Sequence, residues 1–242
     1  LVLEEKLTGP ELSLIALCDG ERYVLLPPAQ DHKRLRDGDQ GPNTGGMGVY
    51  APAALLTDVQ LEEAGRQIIS ATLLELARRG CPFRGALFAG LMLTPQGPKA
   101  LEFNCRFGDP ETQALMMQLD EDILPLLAAC AAGRLPAGAR LKVKDGAAVG
   151  VVLAAHGYPE APRAGDRIDG LDQKPADGVE RFFAGVKKDG SALVTAGGRV
   201  MTICAQGPSF EAARAKAYAE AGRIQFAGKQ QRSDIGAGRA GA

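Results

Sequence analysis

Apolar and polar positions along the chain change period in blocks, and each block predicts an element. Residues 1–3 and 11–17 are short apolar runs of strand length, split by Thr8-Gly9-Pro10. Asp19-Gly20, between residues 12–18 and 22–26, predicts a hairpin. Residues 27–52 are polar and Gly-rich with no usable period, so a long loop is expected there. Thr57-x-x-Gln60 has the form of a capping box. It opens a stretch with Leu61, Ala64, Ile68, Ile69, Leu73 and Leu76 on one helical stripe, closed by Gly80 and Pro82. Residues 86–93 and 99–105 are strand-like and joined by Thr94-Pro95-Gln96-Gly97, which suits an antiparallel hairpin. Residues 112–119 and 122–132 read as helices. Residues 133–140 form a Gly/Pro/Ala-rich connection, the best candidate for a domain boundary. Beyond it, residues 147–155, 179–186, 192–195 and 200–205 read as strands of a smaller sheet. Ser209 then caps a helix with Phe210, Ala213, Ala217, Ala221 and Ile224 on one face. The small residues 236–242 are expected to be disordered.

Composition narrows the classes. The 242 residues carry 28 Lys and Arg against 29 Asp and Glu, so no nucleic-acid partner is expected. No apolar run approaches the roughly 20 residues of a membrane span, so no membrane is expected either. Five widely spaced cysteines, with no CxxC pair, point to free thiols in a reducing, cytoplasmic setting. Only His32 and His156 are present, which excludes a His-rich metal centre, and His156 reads as a structural strand-end residue. The chain opens Leu-Val-Leu-Glu-Glu, like the middle of a buried strand, so it is expected to be a fragment.

The strongest local signal is Leu101-Glu102-Phe103-Asn104-Cys105-Arg106. Alternation along a strand puts Glu102, Asn104 and Arg106 on one face and Leu101, Phe103 and Cys105 toward the core. A carboxylate and an amide oxygen about 7 Å apart are hard donors that suit Mg²⁺, which leaves its other positions to phosphate and water. Arg106 could grip a phosphate with its fork of donors. An ordinary polar strand face accounts for the same pattern. Asp109-Pro110-Glu111 reads as a helix start, with Asp109 as cap and Pro110 in the first turn. Gly41-Pro42-Asn43-Thr44-Gly45-Gly46-Met47-Gly48 is either a flexible surface loop or one whose backbone N–H groups approach an anion; no Walker A lysine follows it. Gln30-Asp31-His32-Lys33-Arg34 is either a solvated loop or a phosphate contact. Glu4 and Glu5, at the end of a buried strand, would need partners.

Taken together, these motifs resemble the phosphoribosylamine–glycine ligases of the ATP-grasp superfamily. The resemblance runs from Leu1 to Ile235, where Arg232-Ser233-Asp234-Ile235-Gly236 matches the family's usual ending. It implies an α+β protein. Residues 1–134 would be the second part of an ATP-grasp domain, an antiparallel sheet with helices. Residues 135–235 would be a small α+β or β-barrel-like domain. It implies ligation of glycine to 5-phosphoribosylamine with ATP as co-substrate, through a glycyl phosphate, in purine biosynthesis. Glu102 and Asn104 would be ligands of Mg²⁺ or Mn²⁺, and Arg106 a catalytic phosphate or substrate contact. Glu4 and Glu5 would lie at the adenine hinge and Glu11 at the ATP ribose. Asp31, His32, Lys33, Arg34, Asn43, Thr44, Gly45, Gly46, Asp109 and Glu111 would line the substrate side.

The chain departs from the family's pattern in two ways. The strand at residues 86–93 carries no acid, so the metal site is expected to be thin in protein ligands. The family's amino-terminal domain and the first part of its grasp have no counterpart in the sequence. The chain alone is therefore expected to be inactive, and the intact protein a monomer. A non-catalytic nucleotide- or metal-binding remnant is the alternative.

Overall fold

The computed structural model describes Leu1 and residues 3–237. In chain order its elements are β1 (Glu11–Asp19), β2 (Tyr23–Leu25), β3 (Gln30–Asp31), β4 (Arg34–Arg36), β5 (Gln40–Asn43) and β6 (Gly48–Ala51). Next come α1 (Asp58–Ala64), α2 (Ala71–Arg78), β7 (Arg84–Thr94), β8 (Gly97–Asn104), α3 (Glu111–Gln118) and α4 (Leu124–Ala131). The last are β9 (Ala147–Ala154), β10 (Val179–Phe183), β11 (Val186–Asp189), β12 (Ala192–Thr195), β13 (Arg199–Gly207) and α5 (Phe210–Arg223).

The described residues up to 30, with 53–108 and 119–143, form one compact unit. Its sheet runs β2-β1-β7-β8, antiparallel throughout. β1 is almost wholly buried because one of its apolar faces meets α4 and both edges are paired. The Asp19-Gly20 hairpin forms as its sequence predicts. Asp19 Oδ1 accepts from the Arg22 N–H at 2.7 Å, and Gly20 takes φ +107°. The capping box forms with both its bonds, Gln60 N–H to Thr57 Oγ1 and Thr57 N–H to Gln60 Oε1. α1 continues through a π turn at residues 65–70 into α2, and Gly80 ends the run at φ +76°. Leu1 and Leu3, expected in a buried strand, lie outside any strand and are exposed; Val2 is outside the described residues. With no strand to bury them, Glu4 and Glu5 are exposed as well.

Residues 31–52, 109–118 and the described residues from 144 onward form the second unit. Its sheet runs β10-β13-β9-β6-β3. α5 packs on β9 and β13, and α3 packs on β6, β9 and β13. The structure therefore corrects the expectation of a loop over residues 27–52. That stretch holds four strands, and β6 is fully buried against β9, with Val49 opposite Gly150. The division is also interleaved, where the sequence suggests one cut after residue 134. Leu135 belongs to the first unit: its N–H donates to Asp19 Oδ2 at 2.8 Å and its carbonyl accepts from Arg22 Nη1.

The second unit is closed by its carboxy-terminal segment. Arg232 is 1% exposed, and its guanidinium meets Asp234 at 2.6 Å, Asp39 at 2.7 Å and the Arg34 carbonyl at 3.1 Å. Gly236 and Ala237, expected to be disordered, continue into a turn that the Ala237 N–H closes on the Asp234 carbonyl; residues 238–242 lie outside the described residues. An Arg232→Met chain would leave Asp234, 28% exposed, without its partner, and loss of hydrogen bonds to a charged group of this kind costs about 1.5–3 kcal/mol. Urea unfolding should report that loss. The hydrogen bond from Arg232 holds the Asp234 carboxyl well below its ordinary pKa. Its stabilisation is therefore present above pH ~3.9 and drains away as pH falls below it. The Met variant should lose that part of the acid dependence.

Candidate functional site

The motif residues fall into two sets, one in each unit. In the first unit, β7 and β8 place Glu102 opposite Gly90 and Asn104 opposite Phe88. Two residues apart on one strand, they share a face. A Cβ on Gly90 would stand 3.3 Å from Glu102 Cγ, so glycine there gives the acid its room. Glu102 is exposed and Asn104 half-buried. Among the described residues no cluster of three or more His, Cys, Asp or Glu side chains could hold a metal.

Three expectations for this strand need correction. β8 ends at Asn104, so Arg106 does not share its face; it sits in a bend and donates to the Phe107 carbonyl at 2.8 Å. Leu101 and Phe103 are 39% and 43% exposed instead of being core residues. A register shift opposite Gly90 and Leu91 inserts Leu101 between the paired Ala100 and Glu102, which breaks the alternation on which the sequence argument rests. Cys105 is exposed too. Glu5 pairs with Lys99 at 3.0 Å, and Glu11 opens β1 opposite Met92.

The second unit gathers Asp31, Lys33, Thr44, Gly45, Gly46, Asp109 and Glu111. Asp31 ends β3, and burial pushes its carboxyl pKa well up. The Glu111 carboxylate adds to the rise, while Lys33 and Arg199 oppose it. Asp31 Oδ1 is shielded from water and has no hydrogen-bond partner among the described residues. Glu111, at the start of α3, is 3% exposed. Gly46 lies against Asp31: a Cβ there would fall 2.7 Å from Asp31 Oδ1 and 2.5 Å from Pro110 Cδ, at φ +110°.

The glycine-rich segment is neither a free loop nor an anion cradle in this conformation. Its N–H groups are already donated: Thr44 to the Lys33 carbonyl (2.8 Å), Gly45 to Tyr158 Oη (2.8 Å), Gly46 to Thr44 Oγ1 (3.0 Å) and Met47 to the His32 carbonyl (2.9 Å). Its glycines serve close packing. Asp109 and Pro110 lie in a turn ahead of α3, which opens at Glu111, so Asp109 is not the helix cap nor Pro110 part of its first turn; the Asp109 carboxylate instead meets Arg199 at 2.9 Å and Gln113 at 2.9 Å. Arg34 and Asn43 stand apart, paired with each other in the β4–β5 ribbon, where Arg34 reaches the Gly41 carbonyl. The His32 ring lies 6.0 Å from that of Tyr50 and 3.9 Å from Asp39. Arg199 and Tyr158 escape the sequence reading. The only local signal is the Gly197-Gly198 pair just before Arg199.

The four-stranded antiparallel sheet of the first unit falls within residues that match an ATP-grasp domain, and the unit belongs to that class. The biotin carboxylase domain of Hydrogenobacter thermophilus 2-oxoglutarate carboxylase, solved with ADP and magnesium, shares this fold. It has a TM-score of 0.64 at 17% identity, over 91% of this chain and 46% of that one. Residues 1–112 match the family described as phosphoribosylglycinamide synthetase, ATP-grasp (A) domain, and residues 148–238 match phosphoribosylglycinamide synthetase, C domain. The chain belongs to this family. It is 49% identical to the phosphoribosylamine–glycine ligase of Caulobacter vibrioides over 98% of its own length and 56% of the relative's. It is 46% identical to that of Streptomyces coelicolor over 100% and 59%. The crystal structure of the Thermotoga maritima ligase aligns with a TM-score of 0.86 at 39% identity, over 96% of this chain and 57% of that one. The chain thus spans somewhat more than half the length of the relatives it matches. No helix among the described residues is long and apolar enough to cross a membrane.

Proposed function

We propose that this chain carries the second part of the nucleotide jaw and the carboxy-terminal domain of a phosphoribosylamine–glycine ligase. The observation that carries the reading is the succession, on one chain, of two domains of that single ligase family. In the proposed reaction a glycine carboxylate oxygen takes the γ-phosphoryl group of ATP, and ADP leaves. The amine nitrogen of 5-phosphoribosylamine then bonds to the acyl carbon, phosphate leaves, and the nitrogen gives up a proton. Phosphorylation is needed because a carboxylate oxygen is otherwise a poor leaving group.

Glu102 and Asn104 would hold Mg²⁺ or Mn²⁺, which neutralises charge on the transferring phosphoryl group. Arg106, exposed beyond the strand end, would exchange its bond to the Phe107 carbonyl for one to a phosphate. Glu4, Glu5 and Glu11 are assigned to adenine and ribose. In the second unit, Lys33, Thr44, Gly45, Gly46, Asp109 and Glu111 form the substrate side, with His32 beside them. A carboxyl whose affinity for protons is raised, as at Asp31, suits the proton released by the attacking amine.

The test is ADP release by this chain joined to the segment of the Caulobacter relative that it does not match. Turnover should require ATP, glycine and 5-phosphoribosylamine together, and the chain alone should show none. ATP binding without ligation by the joined protein would mark a non-catalytic remnant and overturn the reading.

A further inference from the structure

We propose that Arg199 is a positioning residue for the substrate side of the site, acting through Gly45 and Asp109. The proposal rests on the ligase reading for its kinetic consequence and on geometry alone for its structural one. Arg199 opens β13, more than 150 residues from Gly45. Its Nη1 donates to two carbonyls at once, that of Gly45 at 2.7 Å and that of Asp109 at 2.7 Å. Its Nη2 donates to Asp109 Oδ2 at 2.9 Å. One planar fork therefore ties the glycine-rich segment to the Asp-Pro-Glu segment that leads into α3.

Tyr158 completes the grip. Its hydroxyl accepts the Gly45 N–H, so both backbone polar groups of Gly45 are held by side chains from the carboxy-terminal part of the chain. Gly198 fixes the ring, since a Cβ there would fall 2.4 Å from Tyr158 Cδ2. The next residue, Gly46, lies directly against the Asp31 carboxylate, so the placement of Gly45 sets the cover over Asp31. The Arg199 charge also opposes the rise in the Asp31 pKa. The multiplicity of bonds explains why arginine stands here. A lysine is a point charge and cannot span two carbonyls and a carboxylate oxygen in one plane.

Arg199→Ala, Arg199→Lys and Tyr158→Phe would be made in the joined, full-length enzyme described above. Hydrogen bonds from a charged donor carry about 1.5–3 kcal/mol. That predicts a KM for 5-phosphoribosylamine, glycine or both raised about 10–100-fold in Arg199→Ala, with the KM for ATP within about twofold of wild type. Arg199→Lys should not recover the loss, whereas added guanidinium ion at millimolar concentration should recover part of it in Arg199→Ala. Hydrogen exchange at the Gly45 amide should accelerate in both Arg199→Ala and Tyr158→Phe. If Arg199→Ala does not fold, Tyr158→Phe carries the test, with faster exchange and a smaller rise in the same KM. Unchanged exchange at Gly45, or a KM for ATP that rises as much as the others, overturns the proposal. A wild-type enzyme without ligation would sink the ligase reading instead, and the exchange data would still decide whether Arg199 and Tyr158 hold the segment.

Discussion

Gly46→Val should lower stability by about 3 kcal/mol or more and remove substrate turnover with it. The sequence alone suggests a milder outcome, a kinetic defect in a mobile loop, with Gly45 and Gly46 equivalent. The structure separates them. At Gly46 the backbone has φ +110°, which costs any β-branched residue dearly. The added Cβ would also stand 2.5 Å from a proline ring carbon and 2.7 Å from a carboxylate oxygen. Neither neighbour is the free end of a flexible chain, so the backbone must move. At Gly45 the backbone lies outside the positive-φ range, and an added Cβ would meet Arg199 and Tyr158 at 3.3 Å. Gly45→Ala should therefore cost about 1 kcal/mol, the low end for overpacking. The check is urea unfolding of both variants. Equal, small shifts in midpoint would mean that the segment is free to move away from Asp31 and Pro110.

This contrast shows where the sequence stops being informative. Elements specified by neighbours in sequence are legible. The Thr57 box satisfies its own N–H groups, Asp19-Gly20 turns a hairpin, and Ser209 caps α5 by accepting the Ala212 N–H at 3.2 Å. The β7–β8 hairpin is legible for the same reason. The strands within residues 27–52 are not. β3 to β6 are two to four residues long, too short to display a period, and β6 is strand because β9 pairs with it a hundred residues later. Glu102 and Asn104 can be found because they sit on one strand. Arg106, Leu101 and Phe103 are misplaced because a bulge and a strand end are set by the partner strand. Asp31, Gly46, Asp109 and Glu111 can be found as motifs, but their assembly depends on Arg199 and Tyr158, whose pairing with Gly45 spans more than 100 residues. Locally, only the Gly197-Gly198 pair marks Arg199, and nothing marks Tyr158.

Replacing Glu102 by Gln together with Asn104 by Ala should abolish metal-dependent ADP release in the full-length enzyme while leaving the fold intact. The two halves of that expectation rest on different facts. Glu102 is exposed and stands over a glycine, so exchanging carboxylate for amide leaves the stem and its packing unchanged. Asn104 ends β8, where truncation to alanine keeps the backbone pairing with Phe88. A surface change such as Glu102→Gln usually alters stability by less than about 0.5 kcal/mol. For the chemistry, the double variant removes the only two oxygen donors that this strand face is proposed to offer. Strand β7, its neighbour, carries no acid to replace them. Electrostatic contacts to a transferring group are commonly worth about 10²–10³ in rate each, so loss of the pair should take turnover below detection. The measurement is ADP release across a titration of Mg²⁺ and, separately, Mn²⁺, with thermal unfolding as the control for folding. Full recovery at raised metal concentration would reduce the pair to an affinity role. Normal turnover at low metal would show that the cation is held elsewhere.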